Sequence, residues 1–137
     1  MGYADLSDHG PLQSGAYILT DSGDLVWSGF TYFSVWTGSF QAARWKGQGV
    51  LLAFEGAHNG LHGHGHGHHT ILIQHYQTIR ELRAGNHLLS DKHEFVILDE
   101  KTALFQIYHP MEEPMISHGL MMPDFKAGCT SVVKNMT

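Results

Sequence analysis

The stretch Ala16-Tyr17-Ile18-Leu19-Thr20-Asp21-Ser22-Gly23-Asp24-Leu25-Val26-Trp27-Ser28 reads as two short β-strands around a tight turn. Tyr17, Ile18, Val26 and Trp27 are the β-branched and aromatic types that suit a pleated surface. Gly23 supplies the positive φ that such a turn needs. The pattern returns three times downstream. Residues Gln41–Trp45 turn at Lys46-Gly47-Gln48-Gly49 and come back as Val50–Phe54. Thr70–Ile73 turns near His75-Tyr76 and returns as Thr78–Leu82. His93–Ile97 turns at Asp99-Glu100-Lys101 and returns as Ala103–Tyr108. Helical periodicity is nearly absent, so the chain is expected to be all-β.

The turn centres fall near residues 22, 47, 76 and 100, with spacings of 25, 29 and 24. A hairpin about every 25 residues makes a four-stranded unit about every 50, the repeat of a β-propeller blade. A sandwich or barrel would also give short strands at regular spacing. Long connections rich in glycine and histidine favour blades. Residues 16–108 then amount to about two four-stranded antiparallel blades, an incomplete propeller, whereas closed rings have at least ~4 blades. Either the chain is a piece of something larger, or it folds its blades into a compact sandwich. Residues 1–110 form the blade region in this reading. Residues 111–137, with Pro114, Pro123 and methionines at 111, 115, 121, 122 and 136, read as a divergent, loop-rich tail.

Charge and composition exclude several classes of function. The 137 residues hold 8 Lys+Arg and 13 Asp+Glu, a formal net charge of −5, which argues against a nucleic-acid footprint or a polybasic membrane patch. No apolar run reaches the ~18 residues of a membrane helix. The lone cysteine, Cys129, excludes an internal disulfide framework and a CxxC site. The first residues lack the basic and apolar regions of a signal peptide, so the chain as written is expected in the cytoplasm.

Of 12 histidines, six (His58, His62, His64, His66, His68 and His69) crowd into one short stretch. If that stretch is extended, His62, His64, His66 and His68 share one face, and imidazole suits zinc, copper and nickel. Ligands at i, i+2 on a glycine-rich loop do not readily close a tetrahedral shell, and no CxxC, HExxH or EF-hand pattern accompanies them. No metal is assigned on this basis. His64 lies between glycines that let backbone approach a ligand and leave amide donors for an anion; the same glycines equally suit a chain reversal. His93 could attack a sulfuryl group if its second nitrogen is held by an acceptor. Glu94 points to the other face of a strand, whereas Asp91, two positions back, can share the face of His93. The alternative is a His-Glu pair that satisfies a strand mouth. Arg44, Arg80 and Arg83 are candidate sulfate clamps, because guanidinium forks match tetrahedral oxyanions. Trp27, Trp36, Trp45, Phe54 and Phe95 are expected in packing.

These strings, taken in order, resemble fungal arylsulfotransferase-like proteins. Thr20–Gly29 is similar to the family's D-x-G-E-L-V-W-S-G hairpin, and Lys46–Gly56 to its G-x-x-x-L-T-F-W-x-G strand. Gly63-His64-Gly65-His66-Gly67 matches G-H-G-x-G, and Tyr76 falls at the tyrosine of D-x-S-Y. Ala84-Gly85-Asn86, Asp91-Lys92-His93-Glu94-Phe95 and Thr102-Ala103-Leu104 match A-x-N, D-L-H-E-F and T-A-L. The resemblance covers roughly residues 16–109. It implies a six-bladed propeller with histidines at the central funnel, transferring sulfate between phenols. In the related bacterial enzymes this proceeds through a sulfated histidine, without a nucleotide donor. His93 and His64 would then be catalytic, and Glu94, Asn86 and Arg44 would bind substrate. No cofactor is implied, and the partner is a small phenolic molecule. Three copies would supply six blades, so a homo-oligomer is allowed. Two departures stand out: Ile73 replaces an Asp, and Lys92 replaces a Leu. Family members are several hundred residues long, usually behind a secretory signal. Competing readings are a non-catalytic truncated blade domain, a small enzyme acting on an aromatic secondary metabolite, and a His-rich metal binder.

Overall fold

A computed structural model describes residues 15–61, 63–112 and 125–135. The strands are β1 (Tyr17–Leu19), β2 (Leu25–Ser28), β3 (Trp36–Trp45), β4 (Gln48–Asn59), β5 (His64–Leu72), β6 (Thr78–Leu82), β7 (Phe95–Leu98), β8 (Thr102–Glu112) and β9 (Phe125–Asn135), with one 3-10 turn at Gln74–Tyr76. The chain is all-β. Among the described residues three antiparallel sheets form, each from strands consecutive in sequence: β1-β2, β3-β4-β5-β6 and β7-β8-β9. Among the described residues no helix is long and apolar enough to cross a membrane.

The four hairpins lie where turn chemistry puts them. Lys46 (φ 52°) and Gly47 (φ 74°) are both left-handed between the paired Trp45 and Gln48. Asp99 and Glu100 (φ 54° each) do the same between Leu98 and Lys101, whose N–H donates to the Leu98 carbonyl over 3.1 Å. Positive φ at both central residues matches the turn's twist to that of the strands it joins.

Two expectations are corrected. The glycine- and histidine-rich segment is not a loop: residues 64–72 are β5, paired along its whole length with β4 from Asn59↔His64 to Leu51↔Leu72. The tail is not wholly loop-rich either, because residues 125–135 pair with β8 from Glu112↔Phe125 to Thr102↔Asn135. Of the two larger sheets, one has four strands and the other three among the described residues.

Period-two alternation decides which faces meet. Trp45, Val50, Leu52 and Ile71 of the four-stranded sheet cluster with Phe95, Ala103, Phe105 and Ile107 of the three-stranded one. Phe54, Phe95 and Phe105 are almost wholly buried, each a stabilisation of about 1.5–3 kcal/mol by removal of apolar area from water. Polar contacts fix how the sheets lie. Gln41 Nε2 donates to the Phe95 carbonyl (2.8 Å), the Ser39 hydroxyl donates to the Lys92 carbonyl, and Gly47 N–H donates to Glu100 Oε2 (2.8 Å). On the opposite face Trp27 stacks on Tyr76 (4.4 Å) and Phe40 (5.6 Å), docking the first hairpin.

Glycine is required where β4, β5 and the segment before β7 converge. Gly56 and Gly67 are register partners, and a Cβ on Gly67 would lie 2.0 Å from the Glu55 carbonyl oxygen. That close approach lets Ser90 bridge to Gly67 through two backbone hydrogen bonds, of 3.0 and 3.1 Å. The chain is thereby laid across β5, with Asp91 and His93 beside its N-terminal end.

Candidate functional site

Asp91 is the anchor of the site. It is fully buried, and its backbone N–H donates to the Gln106 carbonyl of β8 at 2.8 Å. Oδ1 accepts the Gly65 N–H (2.7 Å), while Oδ2 accepts the His93 N–H (3.0 Å) and also meets His93 Nδ1. Burial alone would raise the carboxyl's pKa. The hydrogen bonds from Gly65 and from the ring and backbone of His93, with the charge of His93, outweigh burial and lower it. Asp91 is therefore an ionised, acceptor-only group, so in the neutral ring the proton sits on His93 Nδ1 and the lone pair on Nε2. The His93 side chain is 44% exposed, so that nitrogen can reach a ligand.

His64 completes the group. Its ring centroid lies 6.3 Å from that of His93 and 3.9 Å from that of Tyr108, and one ligand-capable atom from each of His64, Asp91 and His93 falls within 4.8 Å of the others. Beyond them His58, opposite Gly65 in the β4–β5 register, stacks on Trp36 at 5.0 Å. Burial, then Lys92 and His93, lower the His58 pKa, which keeps that imidazole neutral. Lys92 Nζ sits 5.7 Å over the Trp36 ring. The result is a cluster of imidazoles and aromatic rings around one orienting carboxylate.

A family model described as Arylsulfotransferase (ASST) matches residues 41–124, more than half of the chain. The chain belongs to the arylsulfotransferase (ASST) family. The matched span contains His58, His64, Asp91, His93 and Tyr108, and begins after the first hairpin, so the Thr20–Gly29 string lies outside it. No curated protein and no solved structure matches the chain.

In this arylsulfotransferase-family chain the expected site residues separate into two groups. His64 and His93 come together, and Asp91 reaches His93 from two residues away. Glu94 is exposed, immediately before β7, and Asn86 is exposed in left-handed backbone (φ 57°) on the β6–β7 connection. Neither makes a described hydrogen bond to His64, Asp91 or His93. Arg44 is exposed opposite Gly49, ten residues along β4 from the Asn59 that pairs with His64. At the strand rise this separation is ~33 Å, too far for one site. Arg80 lies 5.9 Å from the Trp45 ring, and Arg83 pairs with Glu81 at 3.0 Å.

The amides expected to be free for an anion are committed to the fold: Gly65 to Asp91, Gly67 to Ser90 and Gly63 to Asn59. His62 lies outside the described residues. A cleft of about 470 Å³ lined by Ala42, Val50, Leu51, His75 and Tyr76 opens elsewhere, and none of the candidate residues lines it. Sequence reasoning missed Tyr108 and His58 as members of the cluster, and it named Asp91 only as an orienting neighbour. The Asp91-x-His93 spacing did carry that signal. Nothing local marks Tyr108, because only the β5–β8 juxtaposition brings it to His64.

Proposed function

We propose that the chain performs sulfuryl transfer between phenolic compounds, with His93 as the nucleophile. The observation that supports this most is the buried, ionised Asp91 held against His93 Nδ1, which aims a lone-pair nitrogen at a half-exposed surface beside a second imidazole. In the first half-reaction Nε2 attacks the sulfur of an aryl sulfate. An N–S bond forms, the S–O bond to the aryl group breaks, and the phenolate leaves with that electron pair and takes up a proton. Asp91 stabilises the cationic sulfated ring. His64 donates a hydrogen bond to the sulfuryl oxygens. An acceptor phenol then attacks sulfur and loses its proton to solvent; an S–O bond forms, the N–S bond breaks, and its electron pair returns to Nε2, restoring His93. Family membership supports the class of reaction. The roles of His93 and His64 are those the resemblance implies, and their closeness to each other and to Asp91 supports them. Glu94 and Asn86 stay proposed as outer substrate contacts, whereas Arg44 is not carried forward into this site.

The same reading takes β3–β6 as one propeller blade and β7–β9 as part of the next. Four consecutive antiparallel strands and the hairpin period of about 25 residues support it. The experiment for activity incubates the chain with a chromogenic aryl sulfate and a phenol acceptor. Acceptor-dependent release is expected, with loss in His93→Ala. No release from wild type, or equal release from both, would remove the proposal.

A further inference from the structure

We infer that His64, Asp91 and His93 also form a binding site for a divalent first-row transition ion, for which zinc is the probe. Two imidazoles and one carboxylate are borderline-soft donors of the kind such ions select. One donor atom from each lies within 4.8 Å of the other two, with His64 on β5 and the Asp91–His93 pair on the segment before β7, rather than all in tandem along one strand. In a tetrahedral shell two donors each ~2.1 Å from zinc lie ~3.4 Å apart, so the widest pair must close by up to ~1.4 Å while the touching His93 Nδ1 and Asp91 Oδ2 open. His93, with its half-exposed side chain, has the freedom to do this. His64 Nδ1 is buried without a hydrogen-bond partner, a polar atom that the protein alone leaves unsatisfied. The carboxylate is already fixed by the Gly65 and His93 amides, which preorganises it for a cation.

The ion enters where the His93 proton now bridges to Asp91. Zinc takes the Nδ1 lone pair, and the ring proton passes to Nε2, since a neutral imidazole keeps one N–H. Nε2 thereby loses the lone pair that attacks sulfur. Metal binding stands independently of the sulfuryl-transfer reading, but the inhibition it produces rests on that reading.

The test is equilibrium dialysis of the full chain against zinc chloride. One tightly held zinc per chain is expected. His64→Ala and His93→Ala should each weaken it by at least ~10–100-fold, the range seen when only an outer partner is removed. The double variant H66A/H68A, which thins the tandem histidine tract, should leave it unchanged. Cobalt provides a second readout through visible absorption bands that vanish in His93→Ala. His64→Ala and His93→Ala binding as tightly as wild type would overturn the site, as would loss of zinc in H66A/H68A alone. Zinc should also stop acceptor-dependent phenol release, and a chelator should restore it. Zinc bound by a chain that releases no phenol under any condition keeps the metal site and removes the transfer reading. Phenol release with no zinc retained does the reverse.

Discussion

Lowering the pH from 7 to 4 should destabilise the fold through one side chain, His69. This residue is fully buried where β5 meets the second sheet, its ring 4.4 Å from Phe95, 5.3 Å from Phe105 and 5.6 Å from Phe54. Neither ring nitrogen has a hydrogen-bond partner. Burial, reinforced by the neighbouring His68, pushes its pKa from 6.5 down to about 4. The charge and backbone of Asp91 pull the other way, without forming a hydrogen bond of normal geometry. Above 6.5 both folded and unfolded His69 are neutral, and its stability contribution is complete. Between 6.5 and 4 the unfolded chain takes up a proton that the folded chain refuses, so stability falls as pH falls. The gap of 6.5 − 4 = 2.5 units amounts to about 3 kcal/mol, of which about 2 kcal/mol is gone by pH 5. The assay is urea unfolding at pH 7.5, 6, 5 and 4.5 for wild type and His69→Leu. The variant cannot take the proton, and any packing penalty of the leucine shifts all its midpoints alike. Wild type should lose about 2 kcal/mol more than His69→Leu between pH 7.5 and 5. Parallel pH profiles would refute the account of His69 as a dry, neutral imidazole.

Gly67→Ala should lose about 3 kcal/mol in urea unfolding, because its Cβ would press on the Glu55 carbonyl oxygen; Gly49→Ala, with nothing within 4 Å, should lose far less. Equal losses would contradict the close β4–β5 approach. Phe105→Ala should lose about 3–5 kcal/mol, whereas Val96→Ala at an exposed site stays within about 0.5 kcal/mol. Asp91→Asn should lower phenol release by ~10²–10⁴-fold in kcat with little change in KM, because it removes the charge that orients His93. Its stability advantage belongs to the ionised form and disappears as pH falls below 3.8 toward the lowered folded value, a range separate from that of His69. Arg44→Ala, far along β4, should leave release unchanged.

Strand positions were legible because they depend on local pattern. The four hairpins follow from alternation and from turn residues such as Gly23 and Lys46-Gly47. The histidine segment was misread for a physical reason: glycine and histidine have weak strand propensity, and pairing with β4 overrides it. Strand β9 was hidden as well, since Pro114, Pro123 and the scattered methionines mark the tail as loop, and only pairing with β8 makes residues 125–135 a strand. At the site, Asp91 with His93 was legible from spacing of two, and His64 from its string. Tyr108 was not, since its membership depends on how β8 of the other sheet meets β5, and neither was His58, which only the β4–β5 register brings opposite Gly65. Arg44 fitted the chemistry of a sulfate clamp, but register along β4 carries it to the far end.

Intact-mass analysis after exposure to an aryl sulfate without acceptor tests the central claim most directly. One added SO₃ group per chain is expected, mapped to the peptide carrying His93, absent from His93→Ala and removed when phenol is supplied. A chain that turns over aryl sulfate yet stays unmodified, or carries the group on another residue, would contradict it.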